Sequence, residues 1–117
     1  MTEAASNQRL RRADRLRSTK DFRRVNRTGA REAGPHFVAQ LAPARDPQRP
    51  GLGLVVSRRV GNAVARNHVK RRIREWFRTH RACLGLAGHD LVVIARAGAT
   101  KLDGHAIARE LSGLVTR

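Results

Sequence analysis

The chain has 117 residues, the size of one ordinary domain, and 40% of them are hydrophobic, which is enough for a modest core and argues against a wholly disordered chain. Lysine and arginine number 25 against nine acidic residues, and the net charge of +16 predicts a polyanionic partner, either nucleic acid or an anionic membrane surface. The longest apolar run, Leu91–Ala95, is far too short to cross a bilayer. No apolar stretch follows the basic N-terminus, so we expect no secretory signal there. The single cysteine, Cys83, cannot form an internal disulfide. We therefore expect a cytoplasmic protein.

Hydrophobic periodicity and turn residues predict an α+β alternation in a single domain over residues 15–117. Residues 1–14 are polar and lack periodicity, which predicts a basic flexible arm. A first helix is expected between an N-cap at Ser18 and a stop at Gly29, and Asn62 is the expected cap of a long middle helix. The expected elements, in chain order, are a helix over 19–28, strands over 36–42 and 52–57, a helix over 63–81, a buried strand over 90–96 and a last helix over 103–115.

The positive charge is concentrated in two blocks of the chain. Residues 1–31 carry a net charge of +7 and residues 58–81 a net charge of +8, whereas residues 32–57 between them are neutral. This distribution indicates a patterned surface and not a uniform solubilising coat.

The middle helix carries the clearest functional pattern. At about 100° per residue, its basic and amide side chains fall on an arc of roughly 140°, opposite an apolar face. Arginine presents planar, bidentate donors that match phosphate oxygens, and Glu75 is the one acidic residue in this stretch, so the pattern favours nucleic acid over a merely solvated face. The arc holds Arg66, Asn67, Lys70, Arg71, Arg74, Arg78 and Arg81, and the apolar face holds Ala65, Val69, Ile73, Trp76 and Phe77.

The sequence shows no pattern of catalytic or metal-binding residues. The nine carboxylates are dispersed, without the clustering that a two-metal nuclease needs, and the five histidines share no ligand-like spacing. We therefore expect no catalytic side chain and no metal site in the protein, and we interpret Cys83 as a packing residue.

The segment from Val60 to Arg78 resembles the signature of the protein subunit of bacterial ribonuclease P. The flanking segments agree with the same family: Asp21-Phe22 upstream, Ser57-Arg58-Arg59 after a strand, and Leu91–Arg96 downstream. The resemblance covers roughly residues 10–112.

This resemblance implies a single α+β domain whose central four-stranded sheet is packed by helices, with a left-handed βαβ crossover at the signature helix. It also implies the accessory protein of an endoribonuclease that removes the 5′ leader from precursor tRNA, with a catalytic RNA that performs the cleavage and requires Mg²⁺. The implied partners are that RNA and precursor tRNA, with no membrane, no evident protein partner and no cofactor bound by the protein itself.

Two groups of site residues follow from the resemblance. The positions expected to contact the catalytic RNA are Arg58, Arg59, Arg66, Asn67, His68, Lys70, Arg71, Arg74 and Arg78. The positions expected to line a cleft for the leader are Arg15, Phe22, Asn26, Val38 and Gln40. Asn26 and Gln40 depart from the family pattern, since relatives often carry aromatic rings there, and His68 replaces a common basic residue.

Two other classes of protein remain compatible with the charge pattern alone. A ribosomal or chaperone-like RNA-binding protein could be equally basic, but it would lack the signature. A peripheral membrane protein would need its basic helix opposite an exposed bulky apolar face, whereas here that face is needed to close a small core.

Overall fold

A computed structural model describes residues 15–16, 19–80 and 86–116, and in these ranges the chain folds as a four-stranded sheet with α-helices on both faces. The predicted arm over 1–14, the predicted cap at Ser18, and Arg81 and Cys83 lie outside these ranges. The elements in chain order are α1 (Thr19–Thr28), β1 (Ala30–Ala33), β2 (Phe37–Pro43), β3 (Leu52–Val55), α2 (Ala63–His80), β4 (His89–Ala95), a 3₁₀ turn (Ala99–Lys101) and α3 (Gly104–Val115). The predicted α+β class is confirmed.

The sheet has the strand order β1-β2-β4-β3. Strands β1, β2 and β4 pair antiparallel, while β3 pairs parallel to β4. Parallel neighbours need a crossover connection, and α2 supplies it between β3 and β4. The left hand of this crossover, which the family resemblance implies, stays a prediction.

Strand β1 was not predicted from the periodicity of the sequence. It has the sequence Ala-Arg-Glu-Ala, it is mostly exposed, and it forms the edge of the sheet by pairing with β2 alone. A short edge strand with little burial needs no alternation of apolar and polar residues, so its sequence carries no strand pattern. The 3₁₀ turn Ala99–Lys101 was not predicted either, and the helices and strands that were predicted end within one or two residues of their predicted limits.

The main core lies between one face of the sheet and helices α2 and α3. Alternate residues of β2 and β4 point into it, and α2 contributes its buried apolar stripe. Trp76 anchors α2 to α3 through a hydrogen bond in which its indole Nε1 donates to Ser112 Oγ over 2.9 Å. The larger side chains of this core are Phe37, Leu52, Ile73, Trp76, Phe77, Leu86, Leu91, Ile107, Leu111 and Leu114.

Helix α1 covers part of the opposite face of the sheet with a second, smaller cluster. Val25 of α1 packs there with Ala42 and Val92 of the sheet and with Leu16, and Phe22 adds a partly buried ring. This second layer places α1, the β3 edge and the face of the sheet next to one another.

Candidate RNA interface

The start of α2 is built by a tight turn and a side-chain cap. The amide of Val60 donates to the carbonyl of Ser57 over 3.0 Å, which closes the turn that carries Arg58 and Arg59. Asn62 Oδ1 then accepts from the amide of Ala65 over 2.8 Å, which confirms the predicted N-cap. Both arginines are exposed and lie in the turn that precedes the helix.

The two faces of α2 are separated as the sequence predicts. Val69, Ile73, Trp76 and Phe77 are buried in the main core. On the cationic side, Asn67, His68 and Arg71 are exposed, and Arg66, Lys70, Arg74 and Arg78 are partly buried. The helix therefore presents a row of cationic and amide side chains, and its buried apolar stripe holds the helix backbone against the core.

Arg66 lies at the boundary between these two faces. Its Nε is buried and has no hydrogen-bond partner among the described residues. A buried N–H group without an acceptor is unfavourable, so this position is suited to an external acceptor such as a phosphate oxygen.

Glu75 offsets part of the cationic row, because its carboxylate forms an ion pair with Arg78 one turn further along α2. The hydrogen bond from Arg78 holds the pKa of Glu75 below its usual value. Arg78, one of the predicted RNA contacts, is thus already paired within the chain.

The residues predicted to line one leader cleft fall into two groups in the structure. Arg15 and Phe22 line a cavity of about 230 Å³ at the edge of β3, where they meet Lys70 and Arg74 of α2. The other lining residues of this cavity are Leu16, Leu52 and Leu54, which the sequence pattern did not single out as functional. For Leu52 and Leu54, the alternation of side chains along β3 was the available signal.

The second group lies where α1 meets β2. Gln40 is 4% exposed, and its Nε2 donates to Oδ1 of the exposed Asn26 over 2.9 Å. Val38, two residues before Gln40 on β2, is only 5% exposed. Of these three predicted cleft residues, Asn26 offers the most surface, while Val38 and Gln40 are mostly covered.

An apolar row on the same face of the sheet extends this second group towards β3. Val38 is paired with Ile94 in β4, and Ile94 is paired with Val55 in β3. Val55 is 38% exposed and Ile94 is partly exposed, so they provide accessible surface that the sequence pattern did not assign.

Helix α1 is fastened to the start of β4 by a buried carboxylate. Asp90 is fully buried, and its Oδ1 accepts from the amide of Gly51 over 2.7 Å. Its Oδ2 accepts from the amide of Arg45 over 3.3 Å and from the guanidinium of Arg24, which extends from α1. The Arg24 side chain also donates to the carbonyl of Pro43 over 2.8 Å. This network joins α1 and the loop over 44–51 to the sheet.

Other described acidic side chains serve the fold in a similar way. Glu110 of α3 accepts from the amides of His36 and Phe37 at 2.9 Å each, and Asp103 caps α3 by accepting from the amide of Ala106 over 2.8 Å. Among the described residues, no group of three or more His, Cys, Asp or Glu side chains is arranged to hold a metal ion. No helix in the described ranges has the length and apolarity that a membrane span requires.

Comparison with known proteins shows similarity along nearly the whole chain. A family model described as Ribonuclease P matches residues 10–117. A ribonuclease P protein component from Syntrophobacter fumaroxidans is 45% identical over 103 residues, which cover 88% of this chain and 86% of that protein. The RNase P protein of Staphylococcus aureus has a similar fold, with a TM-score of 0.79, 33% identity, and coverage of 89% of this chain and 94% of that chain. The RNase P protein of Thermotoga maritima gives a TM-score of 0.76 and 31% identity, with coverage of 88% and 96%.

Proposed function

The chain belongs to the bacterial ribonuclease P protein family, the protein components of an endoribonuclease of tRNA 5′ processing, and we propose that it binds the catalytic RNA with α2 and the 5′ leader of precursor tRNA beside α1. Membership of this family implies that the ribonuclease P RNA is its partner. We further propose that its substrate is precursor tRNA, that it acts in the cytoplasm, and that the contacts described below are made.

The observation that carries the proposal is the division of α2 into a buried apolar face and an opposite cationic face. The buried face is committed to the core, so the cationic face is held in a fixed orientation towards solvent. Guanidinium and ammonium groups on this face neutralise phosphates, and Arg58 and Arg59 continue the cationic surface before the helix. We assign contacts with the catalytic RNA to these two arginines and to Arg66, Asn67, His68, Lys70, Arg71 and Arg74, with Arg78 weakened by its pairing with Glu75.

We place the leader on the face of the sheet that α1 leaves uncovered. Asn26 presents an exposed amide there, and Val55 and Ile94 present apolar surface on which a base can lie. Because Gln40 is nearly covered and donates to Asn26, its part in the proposal is to orient the Asn26 amide. Polar contact and apolar contact then take the place of stacking on aromatic rings at these positions.

The cleavage chemistry belongs to the RNA in this proposal. The most buried described carboxylate, Asp90, and the partly buried Glu110 are occupied by hydrogen-bond donors of the fold. Phosphate oxygens of the RNA are ligands that Mg²⁺ prefers, so we assign the required Mg²⁺ to the RNA. The protein screens the repulsion between two RNAs and increases the affinity for substrates that carry a leader.

The salt dependence of RNA binding tests the role of α2. If this surface neutralises about 6–10 phosphates, the affinity for the catalytic RNA should fall roughly 10³–10⁵-fold between 50 and 200 mM salt. Replacing the exposed Arg71 by Gln should reduce the slope of log affinity against log salt by about 1. Filter binding or mobility shift over a salt series measures both quantities.

A matched control comes from α3. Arg109 is exposed on that helix, so Arg109→Gln removes the same charge away from α2 and should leave the slope unchanged. An affinity that hardly varies with salt, or equal losses in the two variants, would contradict the assignment of α2 as the phosphate-binding surface.

A further inference from the structure

Helix α1 carries a row of cations on the side that faces away from the sheet. Lys20, Arg23 and Arg27 are all exposed, and their spacing of three and four residues places them on one side of the helix, opposite the buried Val25. A rise of about 1.5 Å per residue gives this row a length of about 10 Å. These three residues form the outer row of α1, which lies outside both groups of predicted RNA contacts.

Strand β1 adds a fourth cation at the edge of the sheet. Arg31 is directly opposite Gln40 in the antiparallel pair of β1 and β2, and Gln40 donates to Asn26 of α1. Opposite residues in an antiparallel pair lie on the same face of the sheet, so the exposed Arg31 shares the face that α1 covers. Its neighbour Glu32 is opposite Ala39 of the main core and therefore lies on the other face. The α1 face thus gains a cation from β1 without gaining a carboxylate.

In the described part of the chain, no carboxylate forms an ion pair with these four cations. Asp21, the acidic residue of α1, binds Arg45 over 2.9 Å instead. Lys20 lies in the first turn of the helix, where the helix dipole disfavours a cation, and Arg23 and Arg27 repel each other at i,i+4. An external anion bound along the outer row would relieve both effects.

The surroundings of the outer row favour RNA over a lipid surface as its ligand. A helix that binds an anionic membrane needs bulky apolar side chains beside its cations. Among the described residues, the exposed large hydrophobic side chains are Val55 and Val64, and neither lies on α1. By contrast, Asn26, which we assign to the leader, is exposed and lies three residues after Arg23 on the same side of the helix. An RNA strand that passes Asn26 is therefore within one helical turn of the outer row.

We propose that the outer row and Arg31 bind the phosphate backbone of the leader on the 5′ side of the nucleotides that lie beside Asn26. The proposal rests on the proposed function and adds to it a second contact, outside the cleft. The free length of a leader is on its 5′ side, because its 3′ end is fixed at the cleavage site. Lysine and arginine bind phosphate oxygens whatever the base, so this contact should depend on the length of the leader and not on its sequence.

Precursor tRNAs with leaders of two lengths test this contact in the assembled holoenzyme. The short leader ends at the cleft, and the long leader is extended at its 5′ end by uridines. The long leader should bind more tightly at low salt, and if two phosphates are bound this gain should shrink about sevenfold between 50 and 200 mM salt, since each phosphate of a single strand contributes about −0.7 to the slope. An extension of abasic ribose phosphates should give the same gain, whereas a neutral polyether spacer should give none.

A double variant removes two charges from the outer row and leaves the cleft intact. Arg23→Gln with Arg27→Gln should lose most of the gain from the extended leader and keep the wild-type affinity for the short leader. Both side chains are exposed and their mutual repulsion is relieved, so the thermal melt should lie at or above that of the wild type. The matched control, Lys101→Gln with Arg109→Gln, removes two exposed charges from the 3₁₀ turn and α3, and it should keep both affinities.

The possible outcomes separate this inference from the proposed function. The inference is wrong if the extension gives no gain, if the neutral spacer gives the same gain, or if the double variant weakens short and long leaders equally. Weaker assembly of the double variant with the catalytic RNA would assign the outer row to that RNA and would also overturn it. In each of these cases, tighter binding of the short leader than of mature tRNA would still support the proposed function. If the short leader adds nothing over mature tRNA, the proposed leader contact beside Asn26 is refuted, and the contact with the outer row that continues from it is refuted as well.

Discussion

At the scale of single residues, Gly53 sets how closely α1 approaches the sheet. A Cβ atom at this position would lie 2.9 Å from Cζ of Phe22 and 3.2 Å from Cβ of Leu16. Glycine normally weakens a strand, but here its missing side chain lets an aromatic ring and a leucine pack directly on β3. The same close contact brings Phe22 to the cavity that it shares with Arg15.

Replacing Asp90 should strongly disturb the packing of α1 against the sheet. Asp90→Asn should lower the free energy of unfolding by about 3 kcal/mol, the lower end of the range for breaking a buried ion pair. The substitution removes the pair with Arg24 and also places an amide N–H₂ group against backbone donors. The lower end applies because the Arg24 side chain is 27% exposed and water can partly replace the lost partner. Chemical denaturation at neutral pH measures the change.

The control for Asp90 is Asp46, an exposed residue of the adjacent loop. Asp46→Asn keeps the oxygen that accepts from the amide of Gln48 over 3.1 Å, so its effect should stay within about 0.5 kcal/mol. Similar stabilities for the two variants would show that the Asp90 network contributes no more than an exposed loop contact.

At the scale of secondary structure, α2 is a helix that tertiary packing must stabilise. Like charges recur at i,i+4 along it, as in Arg66, Lys70, Arg74 and Arg78, and each such pair destabilises an isolated helix by a few tenths of a kcal/mol, about 0.2–0.5. The apolar stripe buried in the main core offsets this repulsion, as is usual for helices in proteins. An RNA that binds the cationic row should remove the repulsion and stabilise the helix further.

The N-cap of α2 allows folding and RNA binding to be tested separately. Asn62→Ala should lower stability by about 1 kcal/mol, because the amide of Ala65 loses its acceptor. Asn62→Asp keeps an acceptor and should retain stability, but its negative charge beside Arg66 should weaken binding of the catalytic RNA at low salt. Thermal melts and mobility shifts on both variants give the comparison. Loss of stability in both would contradict the capping role.

At the scale of the whole molecule, the fold determines on which surfaces the net charge of +16 lies. Helix α2 and the turn before it direct one block of charge outwards from the β3 side, and α1 carries part of the other block on the opposite face of the sheet. Under the proposed function, two RNAs that repel each other would approach the same small protein, because its cations would screen both phosphate backbones.

This division of labour predicts that protein variants change binding and not the rate of cleavage. Asn26→Asp keeps the acceptor for Gln40 but adds a negative charge on the face proposed to bind the leader, so it should weaken binding of precursor tRNA and leave binding of mature tRNA unchanged. With the holoenzyme saturating, single-turnover cleavage should proceed at the wild-type rate for this variant and for Arg71→Gln. The protein alone should not cleave precursor tRNA at any Mg²⁺ concentration, whereas the RNA alone should keep slow activity at high salt and high Mg²⁺.

Gln48→Glu is the control for the charge added at Asn26, because it makes the same neutral-to-acidic change on the exposed loop after β2. It should leave both tRNA affinities unchanged. A substitution that abolished single-turnover cleavage while assembly and leader binding were intact would reveal a catalytic side chain and refute this division of labour.

The sequence by itself determined the elements with strong local patterns. The range of α1, the cap at Asn62 and the separation of α2 into two faces were all predictable, because periodicity and capping depend on residues only a few positions apart. The family was predictable for the same reason, since its signature lies within the contiguous segment from Val60 to Arg78.

Tertiary structure alone decided which distant residues meet. The edge strand β1 has no pattern of its own and exists because β2 offers it a partner. The Asn26–Gln40 pair, the Arg24–Asp90 ion pair and the cavity shared by Arg15 and Arg74 join residues between 14 and 66 positions apart in the chain. Such contacts depend on how α1 and α2 pack against the sheet, and local sequence patterns carry no information on that packing.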